Sequence, residues 1–185
     1  MVSVSTPSAQ ERPSQKPARS SAWLRHAWLL PILGIALWLR LAGLTNHHLY
    51  GDEAEYSIVA RYLSRDWTYL AYPQIEGFGP TPFVSQPPLL LYVTAVFMRV
   101  MGPTDMAALL PAVLWGVSTV AVTYFVGTRL GGRFAGVAAA GVLAVLPFHI
   151  PRSRRARLYS GSVCLVSRAP YFLFPWSQDR NSGTA

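Results

Sequence analysis

Four apolar runs set the pattern of the chain. The first, Trp28 to Leu44, is interrupted only by Arg40. With Ala22 to Ala27 in front it reaches the ~20 residues that cross a bilayer, so a span is predicted over about 24–44. Trp23, Trp28 and Trp38 suit anchoring at the membrane interface. Arg40 falls about one turn from the far end, where it is expected to snorkel or to pair with an acid. Pro87 and Pro88 open the second run, 87–101, at positions where a helix needs no N–H. This run is short for a span, and Arg99 must reach an interface. Runs three and four cover 106–128 and 134–150, and the alanines and glycines of the fourth suit close helix packing in lipid. Turns are expected at Met101–Asp105 and at Arg129–Arg133, around Gly102 and around Gly131 and Gly132.

Between the first two runs lies a loop, 45–86. Its start has helical spacing, with Ile58, Val59, Tyr62 and Leu63 on one face and Arg61, Ser64 and Arg65 elsewhere. That pattern predicts an amphipathic helix lying along the membrane surface. Residues 69–86, rich in Pro, Gly and aromatics, read as an ordered loop over the membrane. Residues 1–21 lack an apolar period and read as a disordered tail. Residues 160–185 read as a degenerate fifth span, interrupted by Arg168 and Pro170, followed by a polar tail. The predicted fold is all-α: a multi-spanning transmembrane bundle over 22–159 with an amphipathic helix in its first outer loop.

Composition supports this. Of 185 residues, 51% are hydrophobic and only 13% charged, about half the ~25% of an ordinary soluble domain. The single cysteine, Cys164, excludes an internal disulfide and a multi-cysteine metal site. The net charge is +8, and its clustering bears on topology. Arg12, Lys16, Arg19 and Arg25 precede the first run, while Arg152, Arg154, Arg155 and Arg157 follow the fourth. Positive flanks of membrane helices stay in the cytoplasm, which places the N-terminus there and the loop 45–86 outside the cell membrane. These clusters read as topology signals rather than as nucleic-acid contacts. Counting every run as a crossing puts the Arg129–Arg133 turn outside and the Arg152–Arg157 cluster inside. The first placement runs against the positive-inside trend, so the 88–101 segment is the one expected not to cross fully.

The chemistry concentrates in three places. Asp52, Glu53 and Glu55 put three carboxylates within four residues at the membrane edge. Asp52 can be a helix N-cap with Glu55 closing a capping box. The carboxylates can also bind a hard divalent cation, Mg or Mn, with Asp52 and Glu53 as ligands, or supply a general base to an incoming hydroxyl. A cap and a base are compatible roles. Gln86, just before the double proline, faces the same interface. Ser153 to Tyr159 carries arginines that serve either as a basic flank or as a phosphate clamp. His47, His48 and His149 are scattered, and adjacent His residues do not face one way on a helix, so a dedicated zinc site is not expected. A transporter would carry ionisable residues inside its spans, and only Arg40 and Arg99 qualify, both near ends.

The order of these features resembles a known family. An Asp-Glu pair follows the first membrane helix, and Pro-Pro-Leu opens the second. Met101-Gly102, Gly-Gly-Arg-Phe-Ala-Gly at 131–136 and Ser-Arg-x-x-Arg-x-Tyr at 153–159 follow in turn. Over roughly 28–159 this looks like the N-terminal region of the dolichyl-phosphate-mannose–protein mannosyltransferase-like enzymes, glycosyltransferase family 39 and its bacterial relatives. The resemblance implies a GT-C fold and a multi-pass enzyme of the cell membrane. It implies transfer of a sugar from a polyprenyl-phosphate carrier to a protein, lipid or glycan acceptor at the outer face, with no nucleic acid involved. It makes Asp52 the catalytic acid of the first outer loop and Glu53 its neighbour. Tyr56, Gln86, Pro87, Arg154 and Arg157 become the substrate-binding residues. Gln86 departs from the His or Lys often found before the Pro-Pro pair. Family members run to several hundred residues, so 185 residues are expected to be a truncated form. The alternative is a non-catalytic membrane fragment or helper subunit.

Overall fold

The structure is a computed structural model that describes residues 26–46, 49–68, 71, 88–157 and 159–171. Among these residues every regular element is helical: α1 Leu29–Leu41, a short 3-10 turn Leu44–Asn46, α2 Asp52–Leu63, α3 Leu89–Met101, α4 Asp105–Val145, α5 His149–Arg152 and α6 Tyr159–Val166. Two helical stretches, Leu29–Asn46 and Asp105–Val145, are long and apolar enough to cross a membrane. The tail 1–21, with Trp23 and Arg25, lies outside the described residues, as do His47, His48, Gln86, Pro87 and most of the loop after Thr68.

The predicted turn at Gly131–Gly132 breaks α4 into two arms. Gly132 has φ 79° and ψ 177°, a conformation open essentially to glycine alone. The arms fold back on each other. A Cβ at Gly127 would stand 2.9 Å from the Cα of Gly136, so both positions need glycine for the helices to touch. Ala140 and Ala144, four and eight residues after Gly136, continue this small-residue face. They are buried against Val120 and Tyr124 of the first arm and Ala36 of α1. The expected role of the alanines and glycines in 134–150 is thus what the packing uses, although the helix stops at Val145.

The packing fixes which ends of the helices lie together. His26, just before α1, hydrogen-bonds Tyr124 (3.0 Å), so the start of α1 lies beside the α4 turn that carries Arg129 and Arg133. At the other end, Leu44 packs with Leu109 and Val113 near the start of α4, and with Ala156.

α3 lies along α2. Leu91 and Ala95 pack on Val59 and Leu63, and Met98 packs on Ala60 together with Ala107 and Ala108 of α4. The 13 residues of α3 rise about 20 Å at 1.5 Å per residue, short of a hydrocarbon core of ~30 Å. Arg99 donates to the Ser64 carbonyl at 2.9 Å and sits over the Trp67 ring, so it finishes the end of α2. Thr104 then caps α4, its hydroxyl accepting from the Ala107 N–H.

Within the structure the buried face of α2 is Val59, Ala60 and Leu63, while Ile58 and Tyr62 are exposed. The reason is that α3 covers one narrow stripe rather than the whole apolar arc. Arg40 neither snorkels nor pairs with an acid. It is fully buried and bonded to Ser153, Ala36, Ala144 and His149, because α5 and the turn after it fold over the end of α1. In the predicted fifth segment the described residues include the 8-residue α6, Tyr159–Val166, and 172–185 lie outside the described residues.

Candidate functional site

The carboxylates start from a glycine. Gly51, at φ 58°, is the N-cap of α2 and no side chain caps the helix. The Gly51 carbonyl accepts from the N–H groups of Ala54 (3.0 Å) and Glu55 (3.2 Å), and the Tyr50 carbonyl accepts from Glu53 (3.3 Å). The capping box expected of Asp52 and Glu55 is therefore absent, since backbone carbonyls already take the N–H groups it would serve. Asp52, Glu53 and Glu55 stand in the first turn instead, where the helix dipole favours negative charge. Their oxygens are left to reach other partners.

Those partners come from the far side of the sequence. After α5 the chain turns at Ser153 and Arg154 and runs irregularly through 155–157, so successive arginines leave in different directions. Arg157 Nη1 stands 3.4 Å from Asp52 Oδ2, and its Nε stands 3.6 Å from Glu53 Oε1. Arg155 Nε is 3.7 Å from the same Glu53 oxygen. These distances are ion pairs rather than tight hydrogen bonds. The Glu53 side chain is only 12% exposed, against 53% for Asp52. Nε of Arg157 is buried without a hydrogen-bond acceptor.

Arg154 does something different. Its Nη2 donates to the carbonyls of Ala42 (2.8 Å) and Gly43 (2.7 Å), just past the end of α1, where carbonyls lack helical partners; that of Gly43 also accepts from the Asn46 N–H at 3.3 Å. Arg152 lies over the Phe148 ring at 4.2 Å.

These side chains surround a cavity of about 420 Å³ lined by Glu53, Arg154, Arg155 and Arg157 on the polar side and by Leu44, Leu49, Tyr50, Leu109 and Pro151 elsewhere. A second cavity of about 250 Å³ shares Arg155 and Arg157 and adds Arg152 and Tyr159. Asp52 lines neither and joins the first through Arg157. Tyr56 is half-buried against the α2–α3 core. Burial first, then the nearby Asp52, Glu55 and Tyr159, push its phenol pKa up against the pull of Arg157, so it stays a protonated donor.

The structure thus unites Asp52, Glu53 and Arg157 and keeps Arg154 beside them, although Arg154 is already committed to the end of α1. Gln86 and Pro87 lie outside the described residues. Arg155, part of the expected arginine clamp, and Tyr159, the last residue of the 153–159 motif, also join the site. Spacing does not say which of these side chains reach it, because the 155–157 segment is not helical and its side-chain directions are set by the fold. The arginine segment lies at the same end of the described residues as Asp52 and Glu53.

Asp52 and Glu53 were the expected cation ligands. Both face guanidinium groups, and among the described residues no set of three or more His, Cys, Asp or Glu side chains gathers to hold a metal.

No curated protein and no solved structure matches the chain. A family model described as dolichyl-phosphate-mannose-protein mannosyltransferase matches residues 85–183, more than half of the 185 residues. The match takes in α3, both arms of α4, the arginine segment and α6, and it begins after Asp52 and Glu53. On this match, the chain belongs to the dolichyl-phosphate-mannose-protein mannosyltransferase family.

Proposed function

We propose that the chain is a membrane-embedded glycosyltransferase whose arginine-lined cavity receives the phosphate of a polyprenyl-phosphate sugar, with transfer to a protein or glycan acceptor at the outer membrane face. The family is membrane-associated, and the bundle exposes large apolar side chains of α1 and α6 such as Leu30, Trp38, Val163 and Val166, a surface suited to lipid. The observation that carries the reading is the cavity beside Leu44 with Arg155, Arg157 and Glu53 on its wall and an unmatched Arg157 Nε. A phosphate oxygen there would accept that hydrogen and exchange its own charge for the long contacts Arg157 makes to the carboxylates.

The reaction is then a single displacement. The acceptor oxygen bonds to the anomeric carbon while the bond from that carbon to the phosphate oxygen breaks. The acceptor proton passes to Asp52, whose carboxylate is released as Arg157 turns to the phosphate. Negative charge grows on the leaving phosphate, and Arg155 and Arg157 stabilise it. The neutral Tyr56 phenol beside Asp52 is a hydrogen-bond donor for the sugar or the acceptor.

Binding of a polyprenyl phosphate to the native protein in nanodiscs tests this. Hydrogen bonds to charged groups are worth about 1.5–3 kcal/mol, so Arg157→Ala should weaken binding by about 10- to 150-fold. Unchanged affinity in Arg157→Ala would overturn the phosphate assignment.

A further inference from the structure

Arg40 is the largest fully buried side chain of the described residues. It interrupts an otherwise apolar helix, and among the described residues no carboxylate pairs with it. Burying a charge is unfavourable unless hydrogen bonds replace the lost water, and here four do. Nη1 donates to the carbonyls of Ala36 (2.8 Å) and Ala144 (3.1 Å), Nε to Ser153 Oγ (2.8 Å) and Nη2 to His149 Nδ1 (2.7 Å). Since Nδ1 accepts, His149 is the neutral tautomer with its proton on Nε2. Ser153 Oγ in turn lies 2.8 Å from the His149 carbonyl and 3.0 Å from that of Ile150. The fork therefore clamps α1, the second arm of α4 and the α5 turn together.

α4 makes room for this clamp. A Cβ at Gly116 would collide with Ser153 and come within 3.2 Å of Arg40 Nε. Ser153 is also the residue from which Arg154, Arg155 and Arg157 extend. A second tie runs the same way, from Arg154 to the carbonyls of Ala42 and Gly43. Two independent sets of hydrogen bonds thus join the last turn of α1 to the foot of the arginine segment. A residue needed only to fill the core would be apolar here.

We propose that Arg40 is a positioning residue: through Ser153 and His149 it sets where Arg155 and Arg157 stand against Asp52 and Glu53. Its relevance to ligand rests on the phosphate reading above, whereas its hold on the segment does not. The role needs the fork and not only the charge. Lysine keeps the charge but has no planar set of donors, so Arg40→Lys should behave like Arg40→Gln.

Two measurements on the native protein in detergent and in nanodiscs test the proposal. The first is tryptic cleavage within 154–157, compared with cleavage after Arg129 and Arg133 at the opposite end. Arg40→Gln and Arg40→Lys should speed the first about tenfold, the population change that 1.4 kcal/mol brings, and leave the second unchanged. Wild-type cleavage within 154–157 in these variants would overturn the proposal. If both ends loosen together, Ser153→Ala decides, because it removes the Nε acceptor and otherwise only bonds local to the α5 turn, leaving the Arg40 charge and its other three bonds in place. Faster cleavage confined to 154–157 then supports the positioning role, and none overturns it. The second measurement is polyprenyl phosphate affinity. Arg40→Gln should lower it about tenfold, the effect of one weakened charge-assisted bond, and should add nothing in an Arg157→Ala background, because Arg40 acts through that residue. Additive losses would overturn this part of the proposal. Should Arg157→Ala bind like wild type, the phosphate reading fails, and the cleavage pattern still judges the Arg40 tie.

Discussion

Asp52 occupies the first helical position of α2 and caps nothing, which separates its chemical role from a structural one. Its pair with Arg157 is long and half-exposed, and such pairs contribute about 0–1 kcal/mol. Asp52→Asn should therefore melt within about 1 kcal/mol of wild type, yet lose about 10²- to 10⁴-fold in transfer rate, the usual effect of removing a positioned base. Sugar transfer assayed in membranes, beside a melting curve, checks both halves, and wild-type turnover would remove Asp52 from the mechanism. His149 carries a pH dependence. Burial first, and the Arg40 charge second, lower its pKa from 6.5 to about 4. Between those values the unfolded chain binds the proton and the folded one does not, so stability rises with pH across this window. It is fully present above about 6.5 and lost as pH falls toward about 4. Melting temperature should drop from pH 7 to pH 5, and His149→Gln should flatten that slope; an unchanged slope would assign it to other groups.

At the scale of elements, the α4 hairpin depends on one backbone conformation. Gly132 needs φ 79° and ψ 177°, and a side chain there costs about 1–3 kcal/mol. Gly141 sits in the helix with nothing within 4 Å of a built Cβ, so alanine should help by about 0.5–1 kcal/mol. Thermal melts of Gly132→Ala and Gly141→Ala should move in opposite directions. Equal shifts would mean that the break at Gly132 is not what turns the chain. α2 and α3 form a second unit, joined by Val59, Leu63, Leu91 and Ala95 and closed by Arg99 at Ser64. This unit carries the carboxylates, and the α5 turn carries the arginines, so the site is a junction between two packed pairs of elements.

Over the whole molecule, charged clusters separate by end. Asp52, Glu53 and the 152–157 arginines share one end, while Arg129 and Arg133 flank the turn that meets the start of α1. If the bundle crosses a bilayer as proposed, Tyr50→Cys and Arg155→Cys should be labelled from one face of sealed vesicles and Leu130→Cys from the other. Cys164 is buried and should stay silent. Labelling of positions 50 and 130 from the same face would refute the crossing.

Local patterns were legible in the sequence because local physics makes them. Apolar runs without partners in water become helices, Gly131-Gly132 and Gly102-Pro103 end them, and the run 89–100 is visibly shorter than its neighbours. The catalytic candidates Asp52 and Glu53 and the phosphate-clamp candidate Arg157 could also be named from charge and position. Which of them meet could not. The pairing of Glu53 with Arg155, the use of Arg154 to finish α1, the narrow buried stripe of α2 and the burial of Arg40 all join residues far apart in the chain. They depend on the hairpin folding back at Gly132 and on α3 staying beside α2. Side-chain period tells which face of a helix is apolar, but the choice of partner for that face, or for a charge on it, is made only when the helices pack.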